Sequence, residues 1–522
     1  MTRRFTVLVL FVATLAAVYR EVPARPLWPS VVAVAAVFLC RSALAGLLIG
    51  AAVGSLMLAG GGPLQAFAEF FSQHLIPSLQ QRWNLSVLIF TLLLGGFSAL
   101  IEAGGGLDAL LHRVLRNAEK SARRVQYSAF ALGLLCFFDG LASCLLTGRT
   151  VRPFADRTGV SRAKLAYIVD STGSAVACLA IMSTWIAFQL AMIREGYKQA
   201  GIAEVNTFGV MLRSIPLNFY CWFSLLAVLL AIRLDWHPGT MREAEAGPTA
   251  TDGSTQENSP NQFWRAAIPL LVLILGLPIG LIWSGAGQDF TLGWDSVMQA
   301  FGDSHADAVL LRLSAFAGLV AWLCNRGACS RPENHGARSE RVFLNGVEKM
   351  FPPCLILVAA WCLSSTLREL GAAHVIVELL NERLPVSLLP LLVFLIGTVT
   401  SFTTGTSWGT MGVLMPLTLP VALQLGGPDS AVVPAVVAAV FSGAVFGDHC
   451  SPLSDTTIVS AVACEIDPLE HVRTQLPYAL IAAGLAAAVG FLPAGLGMPG
   501  WLGLAGGATA LILLARRGNA VA

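Results

Sequence analysis

Twelve apolar runs, each close to the length of a membrane-spanning segment, constrain this chain more than any other feature. They lie near residues 5–19, 27–40, 42–59, 84–101, 164–193, 211–232, 263–284, 308–324, 343–367, 430–460, 475–496 and 499–515. A bilayer requires about 20 apolar residues per helical span, and backbone polar groups in lipid must be satisfied internally. Because 55% of the 522 residues are hydrophobic and only 12% are charged, the sequence predicts an all-α polytopic membrane protein.

Composition and motif content exclude several classes of function. The net charge is +2, from 33 Lys and Arg against 31 Asp and Glu, so the chain lacks the basic field of a nucleic-acid binder. The eleven cysteines are scattered singly through apolar runs, which predicts neither disulfides nor a zinc site. The sequence contains no HExxH and no Walker A motif, and we expect no cofactor.

The basic residues predict the orientation of the chain. They gather in Thr2-Arg3-Arg4, in 113–124, 149–164 and 326–341, and in Arg516-Arg517. The positive-inside rule places such segments in the cytoplasm. The loop 285–307 contains four Asp and neither Lys nor Arg, which is typical of the outer side. Both termini are therefore expected in the cytoplasm, with 1–26 and 497–522 forming spans additional to the main fold.

Two apolar segments are predicted to be re-entrant hairpins. Basic flanks on both sides of 125–148 place its two ends on the same face, with Phe138-Asp139-Gly140 as the tip. Residues 386–425 are too long for one span and have a polar middle, so this segment should enter from outside. The alternative is an ordinary span with a mobile segment beside it.

The spans fall into two comparable halves of opposite orientation, each with a hairpin and an interrupted helix. The first half is 27–234, with the hairpin 125–148 and the interrupted helix 164–193; the second is 263–496, with the hairpin 386–425 and the interrupted helix 430–460. The polar linker 235–262 is expected to be a flexible cytoplasmic tether. Inverted repeats with interrupted helices are typical of secondary transporters, so a carrier is the leading class of function.

Polar residues concentrate at the four predicted breaks, and they are the candidates for binding a cation, a proton or a substrate. These residues are Asp139, Asp170, Ser171, Thr172, Ser183, Thr184, Thr404, Thr406, Ser407, Asp448, His449, Ser451, Ser454, Asp455 and Thr456. A charged side chain near the bilayer centre costs about 2.5 to 3.5 kcal/mol, which packing does not explain. Oxygen ligands of these kinds coordinate hard cations such as Na⁺, and a proton competes for the same carboxylate.

Some of these residues have a simpler structural explanation. Capping of a half-helix N-terminus is the alternative for Asp448 and for Asp455. For His449, both a proton relay and a structural hydrogen bond are open. Trp185 and Trp408 are expected to pack beside the site, with an indole N–H closing it.

Several strings in the two halves are similar to those of one transporter family. They are TGTSWGTMGVLMPL at 404–417, FGDHCSPLSDTTIVSA at 446–461 and HVRTQLPYAL at 471–480, with 149–172 and 183–185 in the first half. On these strings the chain resembles the NhaC-type Na⁺/H⁺ antiporter family of the ion transporter superfamily.

The resemblance implies a cation/proton exchanger of the bacterial inner membrane, with Na⁺ and H⁺ as coupling ions. It also implies an elevator-like carrier whose mobile domain contains both hairpins. The implied Na⁺ ligands are Thr406, Ser407, Asp448 and Asp455. The lipid bilayer is the expected surrounding, and a homodimer through the scaffold spans is left open.

The first hairpin departs from the family pattern. Gly140, Leu141 and Ser143 follow Asp139, where the family usually has two adjacent acids followed by Tyr and Asn. These smaller residues would make room for a solute. The alternative to a Na⁺/H⁺ antiporter is therefore a Na⁺- or H⁺-coupled carrier or exchanger of a small organic acid or amino acid.

Two further classes are disfavoured. Intramembrane aspartyl hydrolases carry a Gly two positions before the Gly that precedes the catalytic Asp, and Val445-Phe446-Gly447-Asp448 has Val there. A channel built on the same helix breaks is disfavoured by the inverted repeat, which is typical of carriers. We expect no enzyme activity and no catalytic residue.

Overall fold

A computed structural model describes residues 25–40, 42–106, 121–202, 205–246, 263–286, 305–326, 338–372 and 385–520, together with 293, 296, 300 and 375. Every regular element in these ranges is a helix. Among them, eight helices are long and apolar enough to cross a membrane, or up to eleven spans if each bent pair is one span. The prediction of an all-α polytopic membrane protein is confirmed.

Eleven helices belong to the first half and the start of the linker. They are α1 (Trp28–Cys40), α2 (Ala43–Leu58), α3 (Pro63–Gln80), α4 (Arg82–Ala103), α5 (Ala122–Leu135), α6 (Gly140–Thr158), α7 (Arg162–Leu179), α8 (Thr184–Gln199), α9 (Thr207–Leu217), α10 (Phe219–Leu234) and α11 (Met241–Ala246). The predicted span at 5–19 and much of the basic segment 113–124 lie outside the described residues.

Ten helices follow in the second half of the described chain. They are α12 (Trp264–Gly285), α13 (Ala306–Asn325), α14 (Ser339–Lys349), α15 (Phe351–Glu369), α16 (Leu389–Thr404), α17 (Ser407–Gly426), α18 (Val432–Cys450), α19 (Asp455–Cys464), α20 (Pro468–Gly495) and α21 (Gly500–Ala520). Most of the acidic loop 285–307 and of the basic segment 326–341 lies outside the described residues.

Each segment predicted to be a hairpin forms two helices with a break at its polar centre. In the first, α5 and α6 are separated by 136–139, and the Asp139 carboxylate caps α6 by accepting a hydrogen bond from the Ala142 N–H at 2.7 Å. In the second, α16 ends at Gly405, which has φ +67°, and the Thr406 hydroxyl caps α17. A side chain at Gly405 would collide with Leu453, so glycine is required at this tip.

Both predicted interrupted helices contain a break, near the centre of 164–193 and in the last third of 430–460. The helices α7 and α8 meet at a 46° bend over 180–183, and 451–454 separates α18 from α19. Pro452 in the second break has no N–H with which to continue the hydrogen-bonding of α18. Each predicted interrupted helix therefore consists of two shorter helices that are joined at a break.

One bend has no counterpart in the sequence analysis. The apolar run 42–59 was expected to be a simple span, but α2 turns by 116° into α3. Gly60 and Gly61, both with positive φ, form the turn. A hydropathy pattern identifies α2 as apolar without indicating that the chain reverses direction after it.

The first part of the linker is folded, so the expectation of a flexible tether is wrong for 235–246. Trp236 and Met241 are buried, and the Tyr478 hydroxyl of α20 donates a hydrogen bond to the Trp236 carbonyl at 2.6 Å. Burial and the Lys164 ammonium lower the pKa of His237 in this segment. The Thr240 hydroxyl also donates a hydrogen bond to the Arg473 carbonyl of α20 at 2.7 Å, and the Lys164 ammonium of α7 lies 3.3 Å from an Asp235 oxygen. The rest of the linker, 247–262, lies outside the described residues.

The close pairing of α16 with α18 depends on small residues. Gly397 and Gly443 face each other at van der Waals distance, and Gly447 lies directly against Ser401. The Ser401 hydroxyl donates a hydrogen bond to the Gly443 carbonyl at 2.6 Å. In lipid, such small-residue contacts allow the backbones to approach and provide the packing that stabilises a helix pair.

Replacing Gly447 with Ala should lower the melting temperature (Tm) of the purified protein. The new Cβ would lie 2.5 Å from the Ser401 carbonyl carbon, so the two helices must separate, at a cost of about 1 to 3 kcal/mol. Gly484→Ala in α20 is the matched control, because its Cβ would meet nothing within 4 Å, and its Tm should hold or rise. An equal Tm for both variants would contradict the close pairing.

Candidate functional site

The breaks in the two predicted hairpins and in the two interrupted helices meet around one cavity of about 170 Å³. The predicted site residues that line it are Asp139, Thr184, Thr406, Ser407, Asp448, Asp455 and Thr456. They come from five different helices or their caps, separated by more than 300 positions in the chain. The structure thus brings together all four places at which polar residues interrupt the apolar runs.

Asp448 has the most unusual surroundings of the three carboxylates at the cavity. Only 3% of the residue is exposed, and Oδ1 accepts a hydrogen bond from the Ser454 hydroxyl at 3.1 Å. Its other oxygen, Oδ2, is buried and accepts no hydrogen bond of normal geometry within the described part of the chain, although the Ser407 hydroxyl also interacts with this carboxylate. A buried carboxylate oxygen in that position needs a positive partner.

The position of Asp448 in α18 increases this need. It lies in the last turn of the helix, where the helix dipole is negative. The hydroxyls of Thr456 and Thr457 donate hydrogen bonds to its backbone carbonyl. Asp448 therefore caps no helix N-terminus, and the capping alternative for this residue is wrong.

Asp139 and Asp455 lie at helix starts instead. Asp139 caps α6 and is buried, whereas Asp455 is the exposed first residue of α19. The positive end of a helix dipole stabilises a carboxylate at either place. The cavity therefore has three acids, of which Asp448 alone is opposed by its own helix dipole.

Two similar strings of sequence, 183–185 and 406–408, contribute to the wall of the cavity. The Ser183 hydroxyl caps α8 and the Thr406 hydroxyl caps α17, accepting hydrogen bonds from the N–H groups of Trp185 and Gly409. The rings of Trp185 and Trp408 lie 5.9 Å apart. The aromatic pair packs beside the site.

Asp170 does not line the cavity, although it was a candidate. It is fully buried in α7, about ten residues before the break. Four donors from α19 and α20 surround its carboxylate: Gln475 Nε2 at 2.8 Å, His471 Nε2 at 3.3 Å, Thr457 Oγ1 at 3.3 Å and Ser460 Oγ at 3.4 Å. This cluster joins the first half of the chain to the second.

The remaining candidates lie behind the cavity or within helices. The hydroxyls of Ser174 and Tyr220 lie 2.9 and 2.8 Å from Nε2 and Nδ1 of His449, so both ring nitrogens have a partner within the protein. The others are Ser171 and Thr172, buried in α7; Thr404, bonded to its own helix; and Ser451 and Ser454, within the second break.

Sequence reasoning missed Lys349, which lines the cavity from the junction of α14 and α15. Met350, Pro352, Pro353 and Ile356 complete this wall. A charged residue next to a Pro-Pro pair inside the apolar run 343–367 was a usable signal. Gln475 and His471 lie in a string already noted for its family resemblance, but nothing in that string indicates that they contact Asp170.

At the opposite end of α8 a polar network ties this helix to α15. The buried Glu195 carboxylate accepts hydrogen bonds from Ser364 Oγ at 2.9 Å and from Arg368 at 3.2 Å. The Gln199 amide donates to the Ser364 carbonyl at 2.6 Å. The network and the cavity therefore lie at opposite ends of one helix.

Two relatives match this chain over different shares of its length. An uncharacterised protein of Haemophilus influenzae is 28% identical over 502 residues, which is 93% of each chain. The malate-2H⁺/Na⁺-lactate antiporter of Bacillus subtilis is 33% identical over 160 residues, which is 30% of this chain and 33% of that one. The first match is nearly end to end and the second is partial.

The fold is similar to that of a solved transporter. The YdaH transporter of Alcanivorax borkumensis aligns with 83% of this chain and 90% of its own, with a TM-score of 0.53 and 15% sequence identity. The model of the Na⁺/H⁺ antiporter family matches residues 176–496, which is more than half of the 522 residues. The chain therefore belongs to the Na⁺/H⁺ antiporter family.

Proposed function

We propose that this protein is a secondary active transporter that exchanges cytoplasmic Na⁺ for protons across the bacterial inner membrane. The observation that carries the proposal is that Asp448 lines the cavity while its buried Oδ2 accepts no hydrogen bond from the described residues. Both termini are cytoplasmic in this proposal, and the protein has neither a catalytic residue nor a cofactor.

Oxygen atoms suited to Na⁺ surround Asp448. The Asp455 carboxylate and the hydroxyls of Thr406 and Ser407 line the same cavity. Hard cations take carboxylate, hydroxyl and carbonyl oxygens as ligands, and the negative end of α18, where Asp448 lies, favours a cation. These four residues are the Na⁺ ligands in our proposal.

Exchange follows from the burial of this site. A buried carboxylate needs a neutralising partner, and either a Na⁺ ion or a proton meets that need at Asp448. The two cannot occupy the same oxygen at once. Binding of one therefore releases the other, so a cycle that alternates access to the two sides exchanges Na⁺ for protons.

Asp170 has a different role in this proposal. Its carboxylate is surrounded by four donors, so it needs no cation. The Gln475 amide that donates to it also donates to the His449 carbonyl at 2.7 Å, near the end of α18. Asp170 thereby positions the broken helix that presents Asp448.

A carrier that couples Na⁺ or H⁺ to a small organic acid or amino acid is the second candidate. The cavity of about 170 Å³ is roughly ten times what one water molecule needs, which is more than a single ion requires. The similarity to an antiporter of malate and lactate also supports this candidate.

Asp448→Asn should abolish Na⁺-driven proton movement. In vesicles with a preset pH gradient, adding Na⁺ should collapse the gradient for the wild type and leave it intact for the variant, because the amide has no charge to neutralise. Asp455→Asn should weaken apparent Na⁺ affinity by about tenfold, the loss of one charged ligand. Asp467→Asn, at the exposed start of α20, is the matched control and should transport normally.

The Na⁺/H⁺ proposal is refuted if neither Na⁺ nor Li⁺ moves protons at any pH between about 6 and 9. Normal transport by Asp448→Asn would contradict the assignment of the ion site even if exchange occurs. The first outcome concerns the exchange activity and the second concerns the ion site, so the two failures are distinguishable.

Asp170→Asn should destabilise the protein by about 2 kcal/mol. The new amide N–H₂ group would face hydrogen-bond donors that now donate to the carboxylate, and two donors cannot pair with each other. The measurement is Tm in detergent, with Asp448→Asn as the matched control, which removes no bond to Oδ2 and should retain its Tm. If Asp170→Asn keeps its Tm but loses transport, Asp170 belongs to the ion pathway and the positioning role is wrong.

A further inference from the structure

We propose that Lys349 binds the carboxylate group of a small organic anion that occupies the same cavity as the coupling ion. The inference rests on the proposed function, since it gives the cavity a second cargo beside Na⁺ and protons. The carboxylate is the group that organic acids and amino acids share, and the experiment below distinguishes these two sources.

The position of Lys349 is fixed by the helices around it. It is the last residue of α14, and Pro352 and Pro353 lie in the first turn of α15. It is an exposed residue at the junction of the amphipathic α14 and the apolar α15, within Ser339–Glu369, a segment long enough to cross the membrane. An ionisable residue that borders the apolar part of a span and also lines a cavity is a candidate for a functional site.

Lys349 differs from the other lysines of the described chain in its partners. The Lys164 ammonium lies 3.3 Å from an Asp235 oxygen, and the Lys198 ammonium lies 3.8 Å from a Glu195 oxygen. No carboxylate among the described residues lies within ion-pair distance of Lys349, although Asp139 interacts with it electrostatically. Its charge is therefore available to a ligand.

A site for Na⁺ alone gains nothing from a fixed ammonium in its wall, because like charges repel. An ammonium does, however, form strong charge-assisted hydrogen bonds with a carboxylate. Lys349 and the acids Asp448 and Asp455 line the same cavity. This pairing of charges allows an anion and a cation to be bound together.

The rest of the cavity suits a carbon skeleton. Trp185, Trp408, Pro352, Pro353 and Ile356 supply apolar and aromatic surface beside Lys349. Ligand sites for small molecules combine such surface with a few polar groups that fix the orientation of the ligand. The cavity volume of about 170 Å³ limits the ligand to a small molecule of several heavy atoms.

Titration calorimetry on the full chain in lipid nanodiscs, with NaCl present, tests the inference. The probes are lactate and succinate for organic acids, alanine and glutamate for amino acids, and lactamide and succinamide as neutral controls. The wild type should bind at least one carboxylate and neither amide. Lys349→Met, which keeps the length of the side chain but removes its charge, should weaken that binding at least tenfold, and Lys349→Arg should retain it.

Arg341→Ala is the matched control, because it removes one positive charge from the exposed side of the same helix. Its carboxylate affinity should equal that of the wild type. If Lys349→Met does not fold, as judged by its Tm, the comparison of Lys349→Gln with Lys349→Arg replaces it. Equal weakening by Arg341→Ala and by the Lys349 variant would overturn the role of Lys349.

The outcomes separate this inference from the proposed function. If Na⁺ drives proton movement but no carboxylate binds, or binding ignores Lys349, the inference is overturned and the antiporter proposal remains. If carboxylates bind through Lys349 while neither Na⁺ nor Li⁺ moves protons, the antiporter proposal fails and the anion site remains. Binding by organic acids alone, or by amino acids alone, identifies the source of the carboxylate.

Discussion

The end of α18 inside the protein is the constraint on which the site depends. A helix that stops within a membrane leaves carbonyl groups that only neighbouring protein can satisfy. Here Thr456 and Thr457 donate hydrogen bonds to the Asp448 carbonyl, and Gln475 donates to that of His449. The helices α19 and α20 thus satisfy the backbone carbonyls at the break and leave Oδ2 of Asp448 as the atom without a hydrogen bond among the described residues.

The same groups that satisfy the break also connect distant parts of the chain. Gln475 contacts both the end of α18 and Asp170 of α7, and the hairpin tip at Gly405 packs against Leu453 in the break. A displacement of any one element would leave a buried polar group unpaired. The cavity is consequently shaped by elements that constrain one another. The inverted repeat and the elevator movement stay predictions.

Much of this arrangement could be predicted from sequence, because a membrane makes polar residues conspicuous. The positions of both hairpin tips and both breaks follow from polar strings inside apolar runs, and Asp448 and Asp139 were recognisable for the same reason. The hydrogen-bond partners of these buried side chains could not be predicted from the sequence. Nothing in the sequence near Asp170 indicates that donors about 300 positions away satisfy it, and the bend between α2 and α3 depends on local glycine conformation rather than hydropathy.

The Glu195 network favours particular relative positions of α8 and α15. Its carboxylate is bonded to a hydroxyl and a guanidinium of the same neighbouring helix, so a small slide of α8 along α15 would break both bonds before new ones form. An interface of this kind has a few discrete arrangements of the two helices, separated by an energy barrier, rather than a continuous range of them. In the exchange proposed above, release of this contact would be a separate step if α8 moves along α15 when the site changes the side it faces.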